Sequence, residues 1–192
     1  YGPLYGPHEH GLGRSPMSLQ GFEERVQLLA QVLRQRGWQL ATAESCTGGL
    51  IAAACTAVSG SSDWFDRGFV SYSNDAKVQL LGVPPALLQA HGAVSEPVAR
   101  AMAQGALTHS RAHLAVAVTG VAGPGGGTVD KPVGLVWLAL ALRDGSTQTW
   151  RLQWPGDRHA VREATVQEAL WRLIQACQGA TMAEDGKDAA AS

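Results

Sequence analysis

Apolar side chains recur at helical spacing from Phe22 to Arg36, where Phe22, Val26, Leu29, Ala30 and Leu33 share one face and Gly37 marks the stop. The pattern then changes period. Trp38 to Ala43 reads as a strand, Gly48 to Val58 as an alanine-rich helix, and Arg67 to Ser73 as a second strand. Asn74 to Leu81 and Pro85 to Ala90 carry the pattern of short helices. A longer helix opens at Ser95-Glu-Pro-Val98, with Ser95 as N-cap and Pro97 in the first turn, and runs to about Thr108. Leu114 to Val118 is continuously apolar, as in a strand buried on both faces. Leu135 to Leu142 and Thr147 to Trp154 flank Asp144-Gly145, which reads as a hairpin turn, and an amphipathic helix covers Arg158 to Cys177. There is no internal repeat. This alternation predicts an α/β domain with helices on both faces of a mixed sheet.

Such sheets bind ligands outside the carboxyl ends of their strands. Three predicted strands end in chemistry-bearing residues: Glu44-Ser45-Cys46, Tyr72-Ser73-Asn74, and the run Thr119-Gly-Val-Ala-Gly-Pro-Gly-Gly-Gly127. In the first, a strand turns directly into a helix, which exposes the turn side chains and aims free N–H groups into the same space. Ser45 and Cys46 both lie there as candidate nucleophiles beside donors for a developing oxyanion. The competing reading is a plain helix cap, with Ser45 or Thr47 accepting a backbone N–H. The glycine-rich run allows close approach to an anion, but it lacks the Gly-Lys-Ser/Thr of a Walker loop and the dinucleotide fingerprint spacing. A flexible surface loop is the alternative there.

Lysine usage adds a second signal. Only three of the 15 basic residues are lysine, namely Lys77, Lys131 and Lys187. Lys187 sits in a polar tail, whereas Lys77 ends Ser71-Tyr-Ser-Asn-Asp-Ala-Lys77 and Lys131 follows the glycine-rich run. Lysine can lose its proton when desolvated and act as a base; arginine cannot. A net charge of −1 offers no electrostatic footprint for nucleic acid or anionic membrane. No apolar run approaches the ~20 residues of a membrane span. Three cysteines, Cys46, Cys55 and Cys177, lack metal-ligand spacing and favour a reducing, cytoplasmic setting. The expected organisation is a leader over residues 1–16, one domain over 17–179 and a frayed tail over 180–192. His8 and His10 fall in the leader and are not taken as a metal site.

Four ordered motifs then carry a resemblance. Ala43-Glu-Ser-Cys-Thr-Gly-Gly49, Tyr72-Ser-Asn-Asp-Ala-Lys77, Gly92-Ala-Val-Ser95 and Thr119-Gly-Val-Ala-Gly-Pro-Gly-Gly-Gly-Thr128 with Lys131-Pro-Val-Gly134 together resemble the CinA C-terminal domain family. The resemblance runs from about Leu19 to Cys177. It implies a three-layer α/β/α sandwich with a mixed, mostly parallel sheet. It also implies hydrolysis of the carboxamide of nicotinamide mononucleotide to nicotinate mononucleotide and ammonia, in pyridine nucleotide recycling. Larger members carry an amino-terminal domain resembling molybdopterin-binding proteins. Some members are better known for links to competence or DNA damage, so a catalytically silent nucleotide-sensing or partner-binding module of the same fold is the second reading.

The resemblance assigns Ser45 as nucleophile, Lys77 as its base and Tyr72 as a neighbour that relays or holds a proton, with the amides of Cys46 and Thr47 as the oxyanion hole. Ser45 leads Cys46 because no histidine lies in these motifs to activate a thiol. His91, His109, His113 and His159 are read as surface or packing residues. Glu44 is expected to orient Lys77 or Thr47 or to favour the helix N-terminus, and it is counted with the substrate-binding candidates. The others are Gly48, Gly49, Asn74, Thr119, Gly120, Gly123, Gly125, Gly126, Lys131, Arg158 and Arg162. Among them, the helix start at Gly48, the Gly123 to Gly127 loop and the two arginines are candidates for the phosphate. A solvated helix face is the alternative for the arginines. Trp64 or Phe65 is weighed as a stacking partner for the pyridinium, against core packing. The expectation is a cytoplasmic homo-oligomer that acts on a small molecule, with no metal and no cofactor.

Overall fold

Three strands carry large side chains on one face and alanine on the other, and this asymmetry organises the layers. A computed structural model describes residues 19–188, so the expected leader and the last four residues of the tail lie outside the described residues. Its strands are β1 (Leu40–Glu44), β2 (Phe65–Val70), β3 (Leu114–Gly120), β4 (Leu135–Leu142) and β5 (Thr147–Gln153). Leu40, Leu114, Val116, Val118, Val136, Leu138 and Leu140 point to one side, into a core shared with helices α1 (Glu23–Arg36), α2 (Leu50–Thr56) and α6 (Arg158–Asp188). Ala41, Ala43, Ala115, Ala117, Ala139 and Ala141 point to the other. There α5 (Glu96–Thr108) lies against the sheet, with α3 (Asn74–Leu81) and α4 (Pro85–His91) packed on it. A face of methyl groups lets a helix approach closely, so the second interface is tight but thin.

The sheet order is β2-β1-β3-β4-β5. β1 pairs in parallel with both β2 and β3, whereas β3–β4 and β4–β5 are antiparallel. Four of the five strands therefore run the same way, although the pairings divide evenly between the two types. The carboxyl ends of β1, β2, β3 and β5 consequently share one edge, together with the first turn of α6. This is the three-layer mixed sandwich that the family resemblance implies.

Several boundaries move for identifiable reasons. Gly37 stops α1 in the left-handed conformation, as expected, at φ 64°. Strand β2 starts and ends earlier than the apolar pattern suggests, because Ser71 makes the last ladder bond, N–H to Glu44 O at 2.9 Å, before the chain turns. A short 3₁₀ turn at Ser61–Asp63 precedes it. Ser95 occupies the cap position of α5 in extended conformation, yet its hydroxyl donates to Gly92 O at 2.8 Å instead of accepting a helix N–H. Helix α6 continues to Asp188, past the point where the tail was expected to begin.

Gly105 shows how closely the thin face is packed. A Cβ there would lie 1.9 Å from the Leu81 carbonyl oxygen, at the end of α3. Glycine to alanine within a helix ordinarily gains about 1 kcal/mol. Here overpacking reverses the sign, and Gly105→Ala is expected to cost about 2 kcal/mol or more. Urea denaturation should show a lowered midpoint; a raised one would mean that α3 and α5 separate freely.

Candidate active site

The candidate site begins at the end of β1. Ser45 extends the ladder by one residue, donating its N–H to Val118 O at 3.1 Å, and the chain then turns sharply through Gly48 and Gly49. Both glycines are left-handed, at φ 58° and 100°, a conformation that L side chains rarely adopt. The turn brings Ser45 to the carboxyl edge of the sheet with 9% of its surface accessible. Gly48 N–H donates to Ser45 O, whereas among the described residues neither Cys46 nor Thr47 N–H donates to a main-chain carbonyl. Cys46 is 6% exposed and Thr47 is fully buried.

Lys77 reaches this serine from the first turn of α3. Side chains on a helix tilt toward its N-terminus, so the lysine stem runs back over the loop that follows β2. Its Nζ donates to Ser71 O at 2.8 Å and Tyr72 O at 3.1 Å and meets Ser45 Oγ at 3.0 Å. A lysine ammonium has three N–H donors; its neutral amine has two and a lone pair. Two carbonyls take two N–H bonds, so the remaining direction, toward Ser45 Oγ, holds the lone pair when Lys77 is neutral. That is the arrangement a general base requires. Lys77 is 1% exposed, and burial draws its pKa below the ordinary lysine value.

Cys46 is placed beside this pair but is poorly suited to attack. Burial, chiefly, with a contribution from the Glu44 charge, pushes its thiol up to about 12, so the thiolate is scarce at neutral pH. No histidine compensates. His109 Nδ1 lies 2.8 Å from Gly105 O, His113 stacks on Trp38 and accepts from Gln39 N–H, and His159 faces Glu163. The described histidines thus have the packing and surface roles expected; His8 and His10 lie outside the described residues.

Residues 23–177 match the family described as the CinA C-terminal domain. The chain belongs to that family. It is 52% identical over 147 residues to the nicotinamide-nucleotide amidohydrolase PncC of Shigella flexneri, covering 77% of this chain and 89% of that protein. A CinA-like protein of Akkermansia muciniphila is 54% identical over 144 residues, but the chain spans only 35% of its length. Among solved structures, the competence/damage inducible protein CihA from Agrobacterium tumefaciens superposes with a TM-score of 0.79 at 47% identity, covering 85% of this chain and 98% of that one.

Within this CinA-family domain, not every candidate takes the place expected of it. Tyr72 is 60% exposed, and its phenol accepts from Arg158 Nη2 at 3.2 Å; it is the Tyr72 carbonyl that engages Lys77. The phenol thus faces Arg158, and the contact between Tyr72 and Lys77 is made by the main chain. Glu44 is fully buried and accepts three bonds, from Thr47 Oγ1 and the N–H groups of Ile51 and Ala52, so it braces the turn and is closed off from substrate. Thr119 donates to Ala93 O, and Gly120 has no room for a Cβ against Val136 and Leu135 O; both are packing residues. Lys131 Nζ donates to His91 O and ties the glycine-rich loop to the end of α4. Trp64 is fully buried edge-to-face with Phe65, at the start of β2 and hence at the opposite edge of the sheet, which removes both as stacking partners.

The arginines do reach the site. Arg158 Nη1 donates to Gly123 O at 3.0 Å, so this one side chain links the glycine-rich loop to Tyr72. Arg162 Nη2 donates to Thr47 O at 3.1 Å, and its buried Nε has no partner in the structure. Asn74 is exposed at the start of α3, and Gly125 and Gly126 lie exposed in the loop. A cavity of about 510 Å3 opens between this loop and the first turn of α6, lined by Pro124, Val133 and Arg158 among others. A larger one of about 660 Å3 lies at the far edge, where Arg143 is already bonded to three carbonyls and Arg172 to Glu168. Among the described residues no His/Cys/Asp/Glu cluster has metal-binding geometry, and no helix is long and apolar enough to cross a membrane. The carbonyls of Ser71 and Tyr72 were not legible in the sequence, because main-chain acceptors leave no residue-type signature.

Proposed function

We propose that this chain is an amidohydrolase that converts nicotinamide mononucleotide and water to nicotinate mononucleotide and ammonia. The observation that carries the reading is the buried amine of Lys77 held 3.0 Å from Ser45 Oγ by two carbonyl acceptors. The printed activity of the Shigella flexneri relative supports the choice of substrate. A binding module of the same fold has no use for a desolvated amine against a serine.

In this mechanism neutral Lys77 takes the Ser45 proton as Oγ attacks the carboxamide carbon. The oxyanion accepts from the Cys46 and Thr47 N–H groups. Collapse expels ammonia, which receives the proton from Lys77, and leaves the nicotinoyl ester on Ser45. Water, deprotonated by Lys77, then cleaves that ester and restores the serine. Arg158, Arg162 and the glycine-rich loop supply the positive and N–H groups for the phosphate, which anchors the carboxamide against Ser45. Purified protein should release ammonia from nicotinamide mononucleotide, and nicotinamide or the riboside should be much poorer in kcat as well as in affinity.

Gly125 gives a clean test of the loop. A Cβ added there meets nothing within 4 Å, so Gly125→Ala leaves stability intact. The added methyl is expected to weaken mononucleotide turnover by about tenfold in kcat/KM, with the small rate on nicotinamide unchanged. Equal rates for the mononucleotide and nicotinamide in the parent enzyme would remove the phosphate from the scheme.

A further inference from the structure

Thr47 is gripped from two sides by opposite charges. Its hydroxyl donates to Glu44 Oε1 at 2.6 Å, and its carbonyl accepts from Arg162 Nη2 at 3.1 Å. The same Glu44 oxygen accepts Ile51 N–H at 2.7 Å, and Oε2 accepts Ala52 N–H at 3.1 Å. Glu44 therefore ties together the residue before the nucleophile, the turn just after it and the first turn of α2. All three donors point at a carboxylate that is completely buried. As a cap it takes the Ile51 and Ala52 N–H groups, and beyond them it takes the Thr47 hydroxyl, which helix capping does not require. Burial pushes the Glu44 pKa up, and the bonds from Thr47, Ile51, Ala52 and Gly49 oppose it.

Between Ser45 and Thr47 lie the two peptide groups that carry the Cys46 and Thr47 N–H donors. Their orientation is set by the dihedral angles at Ser45, Cys46 and Thr47. No helix or sheet ladder holds the Cys46 and Thr47 N–H groups in place, because neither donates to a main-chain carbonyl. Gly48 N–H holds the first of these peptides through the Ser45 carbonyl at 3.0 Å, and the anchoring of Thr47 holds the second.

We propose that Glu44 and Thr47 are positioning residues for the acyl-transfer step, holding the Cys46 and Thr47 N–H groups at the spot where the oxyanion forms. The inference rests on Ser45 being the nucleophile, as above. Glu44 touches neither substrate nor the reacting atoms; it acts through the Thr47 hydroxyl. Preorganised donors stabilise the transition state more than the ground state, so the effect belongs in kcat and not in KM.

The test is a series of near-isosteric variants. Glu44→Gln turns an amide N–H2 toward a backbone or hydroxyl donor, and Thr47→Val deletes the hydroxyl at constant shape. Thr47→Ser restores the hydroxyl. Each is assayed for ammonia release from nicotinamide mononucleotide and, separately, for acylation of Ser45 by p-nitrophenyl acetate followed by intact-protein mass spectrometry, with Ser45→Ala as the blank. The expected result is a fall of about 100-fold in kcat for Glu44→Gln and Thr47→Val, the scale of losing one oxyanion donor, with KM within about threefold. Thr47→Ser should recover most of the rate, and Ser45 acylation should slow in the same order. Should Glu44→Gln fail to fold, the Val/Ser pair at Thr47 decides alone. The proposal is overturned if Thr47→Val acylates and turns over like the parent, if Thr47→Ser is as poor as Thr47→Val, if the loss appears in KM only, or if Ser45 is acylated by neither compound. A parent enzyme inert toward the mononucleotide, whose Ser45 acylation still follows the series, would reject the substrate and uphold the positioning role.

Discussion

Ser45→Ala removes the proposed nucleophile and is expected to lower ammonia release by about 10⁴-fold or more, the scale seen when a nucleophilic serine is deleted from a catalytic unit. The fold should barely register the change. Ser45 gives up one hydrogen bond, while Lys77 keeps its two carbonyl acceptors, so the loss of stability stays near 1 kcal/mol or below. Cys46→Ala should retain most of the activity, because a thiol held up to about 12 contributes little thiolate. The pair of variants separates the two candidate nucleophiles in one assay. An inactive Cys46→Ala, with thiol reagents that label Cys46 and stop turnover, would move the chemistry to the cysteine.

Lys77→Arg keeps a cation and removes the accessible neutral form, so turnover should fall by at least ~100-fold, the loss typical of an absent general base. Lys77→Met is expected to be inactive and also less stable, since it leaves the Ser71 and Tyr72 carbonyls unpaired at about 1–3 kcal/mol each. The pH profile gives an independent reading. Because burial lowers the Lys77 pKa, the neutral amine is available below the usual lysine value of ~10.4. The rate should rise with pH as Lys77 loses its proton, and that limb should lie below ~10.4 and vanish in Lys77→Arg. A fully active arginine variant would leave Lys77 as a binding cation only.

How much of this was readable in the sequence depends on which atoms do the work. Periodicity located the helices and strands because burial of one face imposes it, and the motif order brought Ser45, Lys77 and the glycine-rich loop to one edge. Parallel runs of β1, β2 and β3 make that convergence physical, and β5 adds Arg158 and Arg162 by pointing the same way. The expected orienting of Thr47 by Glu44 is met, and other polar residues in the motifs also bond the scaffold. Glu44, Thr119 and Lys131 hold backbone, and residue type does not distinguish a ligand for backbone from one for substrate. Tyr72 shows the reverse: its position was significant, but through a carbonyl that every residue carries. Helix α6 outran its apolar pattern because small and charged residues sustain a helix without marking a face.

The alanine side of the sheet finally bears on tolerance to mutation. Ser45 is mounted on β1 and Lys77 on α3, and these two mounts are separated by the layer in which α5 lies on Ala41, Ala43, Ala115 and Ala117. The methyl groups thus act as a shim whose thickness sets the gap between Ser45 and Lys77. A larger side chain at Ala43 would be accommodated by lifting the helical layer a fraction of an ångström, which the hydrophobic core survives but the 3.0 Å contact of Lys77 with Ser45 does not. Sequence drift on this buried, chemically inert face should therefore be limited by reaction geometry long before it is limited by folding.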